Sequence, residues 1–209
     1  MISIIKRIID TTIDNFTWSR IEHVEKNKGY LYISNHRDII MDSAFLCIVF
    51  VEALDNTVER AIGDNLLIRP WIKKLVRVNR SFIVQRSASI REMLASSKRL
   101  SSYIHHAIAE RQQPVWIAQR EGRAKDGNDL TQPGVLKMLT IDSENFFESI
   151  KQLNICPVCI SYEYDPCDYL KAREMQLKRD KPNWKKSRKD DLVSMSVGIK
   201  EQKGRVIYR

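Results

Sequence analysis

The stretch Tyr30-Leu31-Tyr32-Ile33-Ser34-Asn35-His36-Arg37-Asp38-Ile39-Ile40-Met41-Asp42 decides how this chain is read. Its first four residues are apolar or aromatic and suit a buried strand, which runs out into Ser34, Asn35 and a histidine. Asp42 to Leu54, apolar throughout from Ala44 to Val51, then reads as a helix. Strand, short loop and helix in that order is the repeating unit of an α/β sheet, and such folds carry their sites in the loops that leave the strand ends. His36 therefore stands in a loop facing a cleft, with Asp38 and Asp42 two and six residues on. A neutral imidazole steered by a carboxylate can take a proton from a hydroxyl, and the carboxylate stabilises the imidazolium that forms. Asp42 is the first choice for that acid and Asp38 the second. A carboxylate at Asp42 equally suits an N-cap with no chemical role.

Outward from this unit the pattern keeps alternating. Strands are expected at Tyr30 to Ile33, Ala61 with Ile62, Val76 to Val78, Val115 to Ala118 and Ile155 to Tyr162. Helices are expected at Asp42 to Leu54, Ser89 to Glu110 and Gly134 to Ile150. The fold class is α/β: a mixed, largely buried sheet flanked by helices, in a single domain of 209 residues. After Asp165 the composition turns basic, with two strand-like runs at Val193 to Ile199 and Val206 to Tyr208, and residues 166–209 read as an extension.

The net charge of +9 calls for an anionic partner, whether nucleic acid, a phosphorylated metabolite or a lipid surface. Four irregularly spaced cysteines and no cleavable signal segment place the chain in a reducing, cytoplasmic compartment with free thiols. The longest apolar block, Ala44 to Val51, is far below the ~18 residues a membrane span needs. Residues 1–20 open with an amphipathic helix carrying Ile4, Ile5, Ile8, Ile9, Ile13 and Phe16 at helical spacing. Such a helix packs on the domain's own core or lies in a lipid interface, and both readings stay open.

Two further segments bear on an anion. Val76 to Arg86 presents Arg77, Arg80 and Arg86 around short apolar runs, and Val115 to Gly127 is a strand running into Arg120-Glu121-Gly122-Arg123. Guanidinium forks match phosphate oxygens, and a glycine lets the backbone approach a ligand.

Taken together and in order, these blocks resemble the glycerolipid acyltransferases, a family that includes glycerol-3-phosphate and lysophosphatidic acid acyltransferases. The resemblance spans about residues 30 to 165. It rests on His36 with Asp42, Arg80 before Ser81-Phe82, Glu121-Gly122-Arg123, and the proline-containing Ile155-Cys156-Pro157-Val158. It implies an acyltransferase domain over 21–165. In that domain His36 is the base on an acceptor hydroxyl that attacks an acyl thioester directly, and Asp42 orients it. Arg80 and Arg123 hold the acceptor's phosphate, while Glu121 and Gly122 line the substrate site. No cofactor is implied beyond the acyl-CoA or acyl carrier protein donor, and no metal. The acceptor is a phosphorylated glycerol or a lysolipid, and the enzyme works peripherally on the inner face of a membrane. Three departures stand out. Five residues, Arg37 to Met41, separate His36 and Asp42 where the family has four; Arg120 stands where the family has proline; and Arg123 follows Gly122 directly. Family members often continue past the fourth block, which leaves open a truncated form.

Other chemistries lack their signatures. There is no G-x-S-x-G elbow, no phosphate loop of either glycine-rich type and no H-E-x-x-H, and Cys156-Pro157-Val158-Cys159 has no second pair to complete a zinc site. The competing class is a non-catalytic module that binds an anionic membrane surface or nucleic acid. Its vehicle would be the basic stretch containing Lys171, Arg173, Lys178, Arg179, Lys181, Lys185, Lys186, Arg188 and Lys189, with Trp184 among them. No nucleic-acid motif accompanies that charge, which makes nucleic acid the weaker partner.

Overall fold

The computed structural model describes residues 2–64, 74, 80–85 and 89–209. Strand β2 (Leu31–Ser34) lies inside a five-stranded sheet with β3 (Glu59–Gly63), β4 (Ser81–Val84), β5 (Val115–Ala118) and β6 (Ile155–Val158). The order is β4-β3-β5-β2-β6 and every pairing is parallel. All five strands therefore end on one edge, the edge that the His36 loop leaves. A second sheet joins β1 (Asn15–Trp18), β8 (Arg205–Tyr208) and β7 (Ile160–Tyr162), with β8 parallel to β1 and antiparallel to β7.

Helix α2 (Met41–Leu54) fills the space between the two sheets. Its residues from Met41 to Phe50 are buried except Ser43, which explains why the run is apolar all round instead of striped. Phe50 meets Tyr32 of the large sheet edge-on at 4.8 Å between ring centres, while Phe45 meets Phe16 of the small sheet at 5.7 Å. The opposite face of the large sheet sends Leu31, Val115 and Ile117 into a second core with Ile104, Ile108, Leu139 and Leu153. Alternation along β2 and β5 thus divides each strand between two dry layers, as a parallel sheet covered on both faces requires.

Helix α1 (Ile2–Thr12) buries Ile5 and packs Ile8 and Ile9 against α2, and Lys6 pairs with Glu52 at 2.7 Å. Of the apolar residues placed on its face, Phe16 belongs to β1 instead, stacked among Trp18, Phe45 and Tyr208. Helix α3 (Ile90–His105) starts at a Ser89–Glu92 capping box and ends in a π turn, His106–Glu110. The expected single helix from Gly134 is two, α4 (Pro133–Leu139) and α5 (Phe146–Gln152), because the Asn145 side chain caps a new start by accepting from Phe147 and Glu148 N–H. The expected long strand to Tyr162 breaks at Cys159, whose backbone pairs with Arg209, so that its two halves serve different sheets.

The C-terminal segment forms α6 (Asp168–Asp180), α7 (Arg188–Lys200) and β8. The run Val193 to Ile199 is helical, contrary to its strand-like composition, since Ser187 and Asp190 form a capping box that starts α7 just before it. The segment is woven into the domain: β8 separates β1 from β7, and Lys171 and Lys203 are buried at 3% and 0% exposure. Part of its charge is spent internally, for Lys178 and Lys186 pair with Glu174, which also meets Lys125 from the loop after β5. The expected strand Val76 to Val78 lies outside the described residues.

Candidate active site

The site is built on the six residues between β2 and α2. Asn35 fastens the start of this loop to β7, its amide donating to Ile160 O and accepting from Ile160 N–H, both at 2.8 Å. His36 comes next, 15% exposed at its side chain, with its ring edge-on to Trp116 at 5.8 Å. Trp116 is itself fixed by donating to Ser34 Oγ at 2.9 Å.

Asp42 sits in the first turn of α2, fully buried, and its carboxylate collects four donors. Its Oδ2 meets His36 Nδ1 at 2.8 Å and accepts from Arg37 N–H at 2.6 Å and Asp38 N–H at 3.0 Å. Its Oδ1 accepts from the Tyr162 hydroxyl at 2.8 Å, and the Tyr208 hydroxyl donates to its backbone oxygen at 2.6 Å. Burial first, and the Asp42 charge after it, raise both phenols well above their ordinary value, so they stay protonated donors. A carboxylate held this way places the neutral imidazole proton on Nδ1 and leaves Nε2 as the ring's acceptor.

Asp38, the alternative partner, does something else. Its Oδ1 accepts from Ile40 and Met41 N–H at 2.9 and 2.8 Å and so caps the entry to α2. Burial, with the Asp42 charge second, pushes its carboxyl upward, against the pull of those two N–H groups and Arg123. Of the two acids, then, the structure sets Asp42 against the ring and Asp38 against the helix end.

The loop after β5 reaches the same edge. Ala124 N–H donates to His36 O at 3.3 Å, which brings Arg123 alongside the histidine loop. Arg123 is 5% exposed and lines a cavity of about 80 Å³ together with Lys171, Arg173, Glu174, Trp184 and Ser194. Gly122 has φ +68, the left-handed conformation that explains a glycine here, while Glu121 is exposed, its N–H bonded to Gln132 Oε1 at 2.7 Å.

Arg80 is elsewhere. It precedes β4, and its guanidinium donates at 3.1 Å to Gln113, which precedes β5. Both mark the edge where the strands begin. Four-residue strands at ~3.3 Å per residue put roughly 13 Å between that edge and the one bearing His36. The structure thus brings together His36, Asp42, Glu121, Gly122 and Arg123 at one edge and leaves Arg80 at the other. Arg77 and Arg86 lie outside the described residues.

Residues 15–161 match the protein-family model named Acyltransferase. The chain belongs to the acyltransferase family. No curated protein matches it in sequence. Among solved structures it is similar to the crystal structure of the 1-acyl-sn-glycerophosphate (LPA) acyltransferase PlsC from Thermotoga maritima, with 10% identity and a TM-score of 0.48. That alignment covers 98% of this chain and 66% of the other, so the acyltransferase family member described here spans just under two thirds of that protein's length. Among the described residues no helix is long and apolar enough to cross a membrane, and no cluster of three His, Cys, Asp or Glu is placed to hold a metal ion.

Sequence reasoning did not find Tyr162 or Tyr208. Asn35 carried a signal, as an amide abutting the histidine at a strand end; Tyr208 carried none, because the pairing of β8 with β1 is visible only in three dimensions.

Proposed function

We propose that this acyltransferase moves a fatty acyl group from an acyl thioester, acyl-CoA or acyl carrier protein, to a hydroxyl of glycerol 3-phosphate, a lysophospholipid or a related lipid acceptor. The observation that carries the reading is the 2.8 Å contact between His36 Nδ1 and a buried Asp42 carboxylate, at a partly exposed ring. Nε2 takes the hydroxyl proton as the acceptor oxygen attacks the thioester carbonyl. A tetrahedral oxyanion forms, the C–S bond breaks, and the imidazolium returns the proton to the departing thiolate. Asp42 holds the tautomer and balances the transient positive charge.

On the acceptor side, Arg123 is the arginine carried by the loop whose backbone abuts the His36 loop, with Glu121 and Gly122 in the same loop. Arg80, on the opposite edge, is not part of this proposal. A peripheral membrane location is supported by the net charge of +9 and by Ile2 and Ile4 standing exposed on α1 beside Lys6 and Arg7.

The test is transfer of a radiolabelled acyl chain from a thioester to a panel of lipid acceptors, with vesicles present. Wild-type transfer abolished in a folded His36→Ala variant supports the mechanism. Transfer that survives His36→Ala refutes it, and a folded wild-type chain inactive on every acceptor refutes the lipid-acceptor reading.

A further inference from the structure

The segment Asp168 to Tyr208 lies beyond the 15–161 match, yet it touches the His36 loop where the dyad is assembled. Tyr208 binds the backbone of Asp42, and Gly198 of α7 packs so closely on Asp38 that an added Cβ would lie 1.9 Å from its Oδ2. The third contact is Lys171. Its Nζ donates to the backbone oxygen of Arg37 at 2.9 Å and forms an ion pair with Asp165. Asp165 is 26% exposed at its side chain and Lys171 only 3%. Pairing with Asp165 did not require a lysine driven that deep, since a buried ammonium costs several kcal/mol unless its bonds compensate. The additional bond gained by burial is the one to Arg37 O.

That oxygen belongs to the peptide between Arg37 and Asp38, and the N–H of the same peptide donates to Asp42 Oδ2 at 3.0 Å. A trans peptide is planar with its C=O and N–H pointing in opposite directions, so a cation on the oxygen aims the N–H. It also polarises the peptide and strengthens that N–H as a donor. The chain Lys171, peptide 37–38, Asp42, His36 is continuous through hydrogen bonds.

We propose that Lys171 is a positioning residue for the His36–Asp42 pair, acting through the 37–38 peptide, and that the C-terminal segment is thereby part of the catalytic apparatus. Its effect on turnover rests on the reading of His36 as base; its effect on the pair itself does not. The experiment uses the full chain. The downfield proton resonance of His36 Nδ1–H, assigned by its loss in His36→Gln, reports the pair directly, and steady-state acyl transfer to lysophosphatidate reports turnover.

In Lys171→Met the resonance moves or broadens and kcat falls on the order of 10²-fold, the cost of a displacement of about 1 Å at a reacting group. KM for the thioester donor stays within about twofold. Lys171→Arg restores both signals, and Asp165→Asn keeps the resonance because the bond to Arg37 O remains. Lys171→Gln, a neutral donor, replaces the Met variant in both measurements if the latter fails to fold, and there a smaller change in each is expected. A folded Lys171→Met with wild-type resonance and wild-type kcat overturns the proposal. A displaced resonance in an enzyme whose turnover is also indifferent to His36→Ala overturns the base assignment and leaves the positioning role standing.

Discussion

Replacing Asp42 by asparagine separates two things the carboxylate does, because the structure dictates how the amide must sit. Oδ2 faces three N–H groups, those of His36 Nδ1, Arg37 and Asp38. Oδ1 faces one hydroxyl, that of Tyr162, which can rotate and accept instead. An amide NH₂ on the Oδ2 side would oppose two backbone donors that cannot turn away. The asparagine oxygen is therefore pinned there, its NH₂ goes to Tyr162, and the proton of His36 stays on Nδ1. The tautomer survives and only the charge is lost. A carboxylate about 4 Å from the centre of an imidazolium, at an effective dielectric constant of ~20, contributes about 4 kcal/mol. At 1.36 kcal/mol per decade this predicts a kcat lower by about 10³-fold, short of the ~10⁴ expected when the wrong tautomer is imposed. The assay is thiol release from an acyl thioester in the presence of acceptor, with nitrogen-15 NMR of His36 to read its tautomer. Activity within tenfold of wild type, or a His36 carrying its proton on Nε2, would refute the reasoning.

Arg80→Ala should leave KM for a phosphorylated acceptor within about twofold, whereas Arg123→Gln should raise it; steady-state kinetics on glycerol 3-phosphate and lysophosphatidate decides. Lys203 is fully buried, donating to Thr12 Oγ1 and Glu201 O, and burial lowers its pKa to about 8. Between pH 8 and the ordinary lysine value of 10.5 the unfolded chain binds more protons there than the folded one, so this group makes stability rise with pH across that window. Lys203→Met should flatten that rise, measured as the difference in melting temperature between the two ends of the window. Gly198→Ala would set a methyl 1.9 Å from Asp38 Oδ2, and overpacking of this kind costs roughly 1–3 kcal/mol in denaturant melts. A smaller cost of the same change in an Asp38→Ala background would show that the contact is the cause.

What the sequence discloses here is the local part. The β2–loop–α2 unit is legible because its signals are adjacent: an apolar run, a polar break and a helix apolar on every side. The pairing of β1 with β8 joins residues 15–18 to 205–208, and no periodicity records a contact of that separation. The C-terminal helices misled for a related reason. Lys171, Lys178 and Lys186 read as part of a basic stretch facing an anionic surface, and the structure sets each of these three against a carboxylate, Asp165, Glu174 or Asp191, across α6, α7 and the adjoining loops. Arg80 shows the effect of strand direction. A residue just before a four-residue parallel strand and one just after it are only five positions apart in sequence, yet on opposite edges of the sheet.

The five residues between His36 and Asp42, one more than the family's usual four, find their explanation in Asp38. The extra length has to be absorbed without moving the histidine off Asp42 or the helix off its start. Asp38 does both, since its side chain caps α2 through Ile40 and Met41 while its backbone N–H turns back onto the Asp42 carboxylate. The loop closes on itself around that carboxylate, which accepts from residues 36, 37 and 38 in succession. Gly198 then has to be glycine, because the loop wound in this way carries Asp38 outward against α7. The longer loop and the C-terminal helix thus meet at one contact, Gly198 against Asp38. Shortening the loop by deleting Ile39 should relieve Gly198, making Gly198→Ala tolerated, and thermal denaturation of the single and combined variants measures that coupling. Equal cost of Gly198→Ala in both backgrounds would break the link between the spacing and the helix.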